Sequence, residues 1–167
     1  MMTLEFIKEL LADGFFAAIA AIGFAVISNP PRRSIIFCAL LAAVGHATRF
    51  LLINSLHVDI ASASFLAAML IGWLSLPFAY KVHCPTTTLY IPALLPMVPG
   101  MFAYKTIFAM MKFMQHINED EIASLYMIDF FRNGMTAFTI LFSLGVGAAL
   151  PTLIMRRWAF TMTRKKV

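Results

Sequence analysis

Two side chains in the stretch GHATR, His46 and Arg49, are of types that bind protons and anions. They are three residues apart, so a helix places both on one face. An imidazole takes up and releases a proton near neutral pH, and a guanidinium grips a carboxylate through paired hydrogen bonds. Their surroundings are apolar: CALLAAVG precedes them and FLLI follows. If this segment crosses a bilayer, each charge at its centre costs about 2.5–3.5 kcal/mol on insertion scales. Arg49 has the reach to snorkel outward. The pair then either faces a cavity or partner as a polar site, or is a structural pair bonded to helix carbonyls or to a carboxylate of another chain.

A second constellation follows IPALLPMVPG, residues 91–100, where Pro92, Pro96, Pro99 and Gly100 interrupt a strongly apolar stretch. The prolines are four and three apart, which predicts that they share one side of a helix. Each removes a backbone N–H and releases a carbonyl one turn earlier, and lipid cannot satisfy that carbonyl. Such breaks persist where they face protein or a wet cavity, and interrupted helices form binding sites in transporters. Gly100 is expected to permit the change of direction. Tyr104 and Lys105 come next. His46, Arg49 and Lys105 thus fall at mid-span with no carboxylate at similar depth, which suits an anionic ligand group or a counter-charge from a second chain. Asp129 and Arg132 read as an interfacial ion pair at i, i+3, Lys112 as a snorkelling anchor and Asp59 as a loop residue. A plain proline kink without ligand contact is the structural alternative for the break.

The elements that must position these residues are membrane helices. The 167 residues are 61% hydrophobic and 13% charged, with mean hydropathy +0.84. A soluble domain carries about 25% charged residues. Spans of about 20 apolar residues are expected at approximately 6–28, 34–56, 61–82, 90–114 and 126–155. This is an all-α polytopic bundle of about five transmembrane helices, with the fourth broken by proline, forming a single transmembrane domain over residues 1–167. Alanine and glycine crowd the first three spans, which lets helix backbones approach closely. Arg32 and Arg33 follow span one, Lys81 follows span three, and Arg156, Arg157, Arg164, Lys165 and Lys166 follow span five. HVD and HINEDE, after spans two and four, hold no Lys or Arg. Basic loops mark the cytoplasmic side, so the N-terminus is expected outside and the C-terminus in the cytoplasm. The acidic N-terminus, with Glu5, Glu9 and Asp13, lacks the basic start and small-residue cleavage site of a signal peptide, so the first span is expected to be retained.

In these same residues the chain resembles the bacterial threonine/serine exporter family, specifically a small split subunit matching the C-terminal half of single-chain members. The resemblance rests on GFAVISNPPRR (residues 23–33), CALLAAVGHATRFLL (38–52) and IPALLPMVPGMFAYK (91–105), in that order. Pro30–Pro31 and Lys105 depart from the family pattern. The resemblance implies a secondary exporter of small polar metabolites in the bacterial inner membrane, using the proton motive force. The substrates implied are threonine and serine, or C4 dicarboxylates such as succinate. It also implies a larger partner subunit of the same family, and a higher oligomer is compatible with it. The candidate substrate-binding or proton-coupling residues are His46, Arg49, Pro96, Pro99, Gly100, Tyr104 and Lys105.

Other classes fit poorly. The net charge of +5 is an orientation signal and a contact for anionic lipid headgroups, not a nucleic-acid face. Cys38 and Cys84 make neither a disulfide framework nor a metal motif, and no metal or cofactor is expected. No nucleophile–base pair occurs at helical spacing, so an enzyme is not expected. An anion-channel subunit with Arg49 and Lys105 at its constriction, and a non-transporting membrane scaffold, are the competing readings.

Overall fold

A computed structural model describes residues 4–155. Helices α1 (Leu4–Ile27), α2 (Ile35–Leu56), α3 (Ile60–Val82), α4 (Thr86–Leu94), α5 (Gly100–Gln115) and α6 (Asp120–Ile154) are joined by short turns, with 3-10 turns at Arg32–Ser34 and Leu95–Met97. Among the described residues there is no strand. Four helices are long and apolar enough to cross a membrane, and the interrupted α4–α5 pair makes up to five. The expected all-α membrane architecture is therefore the observed one. The basic tail that oriented the topology, Arg156 to Lys166, lies outside the described residues.

The chain divides into two compact units, residues up to Met97 with those from Ser143 onward, and Val98–Phe142. In the first, α2 is central and packs on α1, α3 and α4. Small residues make these contacts. Gly14, Ala17, Ala21 and Ala25 recur every three or four residues as the buried stripe of α1. Ala63, Ala67, Ala68, Ile71, Gly72 and Ser75 form that of α3. In lipid, helix association depends on close packing, not on expelling water from apolar surface, and side chains of this size permit it. Hydroxyls within the helices bond back to their own carbonyls, as Ser64 does to Ile60 at 2.6 Å and Ser75 to Gly72 at 2.7 Å, so they expose no unsatisfied donor.

Three helices of this unit end on a left-handed residue that is not glycine: Asn29, His57 and His83, at φ 48°, 52° and 58°. After α2, the N–H groups of His57 and Val58 return to the Leu52 carbonyl, closing the last turn. Asp59 is more than a loop residue. Its Oδ2 accepts from the backbone N–H of Ser62 at 2.9 Å and of Ala61 at 3.1 Å, capping α3. These bonds, that of Ser62 foremost, hold its carboxyl below the usual carboxylate range.

The interruption after α4 departs from the expected geometry. Pro92 lies within α4, Pro96 within the 3-10 turn, and Pro99 beyond both. The three prolines therefore do not share one helix side, because the α-helix on which that spacing depends stops at Leu94. The change of direction is made at Pro99, not Gly100. Pro99 has φ −79° and ψ 60°, and the Gly100 N–H donates to the Val98 carbonyl at 2.8 Å, an inverse γ-turn. Gly100 starts α5 without a positive φ.

The second unit is an antiparallel hairpin of α5 and the first part of α6. Gly134 faces Thr106, and the rings of His116 and Tyr126 stack with centroids 5.9 Å apart. Asp129 and Arg132 form the expected i, i+3 ion pair, at 3.3 Å.

A His–Asp–Arg cluster at the broken helix

The α1–α2 hairpin sets the cluster's register. Gly14 lies against the Ala43 backbone, where an added Cβ would stand 3.2 Å from the carbonyl oxygen. Phe6 and Phe50 meet with ring centroids 5.4 Å apart. Between those contacts Asp13 comes opposite His46, and Oδ2 lies 3.1 Å from Nδ1. The His46 side chain is 8% exposed and that of Asp13 39%. An ionised carboxylate only accepts, which assigns the Nδ1 proton to the imidazole.

Asp13 corrects the reading that His46 and Arg49 lack a carboxylate within the chain. It sits ten residues into a 24-residue helix. Hairpin register was the signal that could have found it. The Gly14–Ala43 approach and the connecting turn at Asn29–Pro31 place residue 13 beside residue 46.

One helical turn on, Arg49 donates from Nη1 to the Met97 carbonyl at 3.2 Å. That carbonyl ends the 3-10 turn, where the chain breaks at Pro99 and no longer supplies an in-helix donor. His46 Nε2 completes no hydrogen bond among the described residues although it is buried. Among the described residues the cluster thus joins a carboxylate, an imidazole with one unpartnered nitrogen, and a guanidinium with a single hydrogen bond, to Met97. This combination can hold an anionic group at Arg49 and move a proton at His46.

The sequence-predicted residues divide between the two units. His46, Arg49 and the Pro96 backbone meet in the first. Pro99, Gly100, Tyr104 and Lys105 belong to the second. There Tyr104 is exposed and stacks on Phe108 at 6.2 Å. Lys105 makes no hydrogen bond or ion pair among the described residues, and lines a recess of about 220 Å³ with Tyr126, Asp129, Arg132 and Asn133. No three His, Cys, Asp or Glu side chains gather as a metal site among the described residues.

Cys38 is a further missed participant. Its Sγ donates to the Thr88 carbonyl at 3.6 Å, which is the carbonyl that Pro92, four residues later, leaves without its helical donor. Both free cysteines are buried.

The family model described as Threonine/Serine exporter, ThrE matches residues 13–154, a range that opens on Asp13 and closes with α6. An uncharacterized protein of Haemophilus influenzae is 37% identical over 152 residues, which cover 91% of this chain and 50% of that protein. The chain therefore spans about half the length of this relative. No solved structure matches. On the family match, the chain belongs to the threonine/serine exporter family, a family of transporters.

Proposed function

We propose that the chain is one subunit of a heteromeric secondary exporter of small carboxylate-bearing metabolites in a bacterial inner membrane. The substrates are threonine and serine, or C4 dicarboxylates such as succinate, and export is coupled to the proton motive force. A larger subunit of the same family completes the transporter, a reading supported by the half-length match to the longer relative. The alternating basic loops favour an external N-terminus and a cytoplasmic C-terminus.

The observation that carries this reading is the cluster of buried His46 with Arg49 and Asp13 at the end of the 3-10 turn. Ionisable groups at membrane depth mark substrate and proton pathways. Arg49 is the carboxylate-binding residue and His46 the proton-coupling residue. An inside-negative potential favours export of an anion by about 2.3 kcal/mol per charge per 100 mV. The test is metabolite efflux from cells with and without the chain and its larger partner, in wild type and in His46→Ala and Arg49→Ala variants. Each variant is expected to insert and to lose export. Wild-type efflux from a stably inserted double variant refutes the assignment.

A further inference from the structure

We infer that a proton and the amino group of a ligand are alternative occupants of one atom, His46 Nε2, and that Asp13 enforces the alternation by holding the proton on Nδ1. The inference rests on the exporter reading and adds to it the step that couples proton and substrate. Its starting point is the asymmetry of the imidazole: Nδ1 has a carboxylate at 3.1 Å, while Nε2 is buried and unpartnered among the described residues. Because the carboxylate is acceptor-only, Nδ1–H faces it in both the neutral and the protonated ring. All change therefore falls on Nε2, which is a bare lone pair in the neutral ring and an N–H donor in the protonated one. A buried polar atom left unpaired costs about 1–3 kcal/mol, so a bound donor that meets this lone pair recovers that cost.

Charge counting identifies the donor. Asp13 and Arg49 cancel, so with neutral His46 the cluster has no net charge, and a ligand of no net charge keeps it so. A zwitterion fits: its carboxylate goes to the Arg49 N–H groups left free by the single bond to Met97, and its ammonium donates to Nε2. Protonation reverses the polarity of that atom. The cluster then carries a positive charge, and Nε2–H confronts an ammonium that has no acceptor. Ligand binding expels the proton and protonation expels the ligand, a coupling that acts equally in both directions.

Among the described residues no titrating group besides Asp13 bonds His46 or Arg49; Arg32 and Arg33, on the 3-10 turn that opens α2, stand about three turns away. The other charged residues of α1 are Glu5, Lys8 and Glu9, none of which bonds His46 or Arg49. The only charged residue of α3 is Lys81, in its last turn, and α4 has none. The 3-10 turn offers the carbonyl of Met97. Asp13 touches no ligand here and is a positioning residue.

The test is calorimetric titration of L-threonine into the chain paired with its larger subunit in nanodiscs, between about pH 5 and 8, in buffers of different ionisation heat. Binding is expected to release protons, with affinity falling as pH falls, approaching about tenfold per pH unit for one proton. His46→Gln keeps a polar amide and loses the titration, so its pH slope is expected to vanish. Asp13→Asn keeps the size but frees the tautomer, with an expected loss of about fivefold in affinity at the alkaline end, the worth of one hydrogen bond. Asp13→Glu is expected to restore part of it. The ¹⁵N signals of neutral His46 are expected to show the Nδ1–H form in wild type and a mixture in Asp13→Asn. Threonine affinity indifferent to pH, proton uptake on binding, or a slope surviving His46→Gln overturns the inference and leaves the exporter reading standing. Intact proton release without any efflux overturns the exporter reading alone, and no threonine binding at any pH overturns the inference.

Discussion

Gly45 precedes His46 and is enclosed by two fully buried side chains, Ile71 and Met97. A methyl group added there would collide with Ile71 Cδ1, and would stand 2.8 Å from Ile71 Cγ1 and 2.9 Å from Met97 Cε. Ordinary carbon contacts begin near ~3.5 Å, so the ends of both side chains must retreat by over half an ångström. Overpacking of this kind costs about 1–3 kcal/mol, offset by up to about 1 kcal/mol from the better helix propensity of alanine. Ile71→Ala alone opens a cavity at a cost of about 2–5 kcal/mol. Together Gly45→Ala and Ile71→Ala compensate, since the methyl added at position 45 enters space that the isoleucine side chain vacates. The double variant is expected to be more stable than the sum of the singles by about 1–2 kcal/mol, measured by denaturant unfolding in detergent. Efflux should follow the same pattern, because displacing Met97 disturbs the carbonyl that holds Arg49. Additivity within about 0.5 kcal/mol would show that Gly45 is not packed against Ile71 and would refute the reasoning.

The α3–α6 approach in the first unit makes a second prediction. A Cβ on Gly72 would stand 2.6 Å from the Ala148 carbonyl oxygen and one on Gly147 2.7 Å from that of Phe65, whereas Gly23 and Gly145 have open space. Alanine at 72 or 147 must therefore move backbone and is expected to lower the melting temperature in detergent, while alanine at 23 or 145 leaves it unchanged or raises it; equal behaviour of the two pairs would contradict the packing. A third concerns the carbonyl that Pro92 releases. Cys38→Ala should destabilise by about 1–3 kcal/mol by orphaning the Thr88 carbonyl, Cys38→Ser should be tolerated, and the penalty of Cys38→Ala should shrink in a Pro92→Ala background where the helix regains its own donor. The same penalty in both backgrounds would detach Cys38 from the proline break.

Much of the fold could be read from the sequence because the bilayer imposes it: span length follows from hydrocarbon thickness, and the ends were marked by Asn29–Pro31, by the short HVD turn and by Pro85. Contacts within one helix were equally legible, as the Asp129–Arg132 pair shows, since i, i+3 spacing alone determines proximity. Asp13 was not, because its partner is 33 residues away and only the register of the α1–α2 hairpin brings them together. The proline run misled for a related reason. Its spacing has a meaning only while the α-helix continues, and these prolines themselves end it, passing through a 3-10 turn at Leu95–Met97. His46 and Arg49 stood out by type and depth, but what each one bonds depended on neighbours that periodicity does not specify.

The broken helix and the buried charges solve each other's problem. A bilayer-depth helix interrupted by prolines leaves carbonyls without helical donors, and the chain meets two of them with side chains from α2: the Cys38 thiol on Thr88 and the Arg49 guanidinium on Met97. Arg49 in turn needs acceptors at that depth, and a continuous α4–α5 helix would have engaged its carbonyls internally. The two donors differ in what they leave over. A thiol has a single S–H, so the Thr88 contact is closed to any ligand. A guanidinium has five N–H groups, so the Met97 contact positions Arg49 while most of its donors stay available. The interruption thus provides a rigid anchor at one end and an unsaturated cation at the other, and the unpartnered Nε2 of His46 lies one helical turn from that cation. Structural satisfaction and binding capacity come from the same break, which is why removing the prolines is expected to disturb the site as much as removing its charged residues.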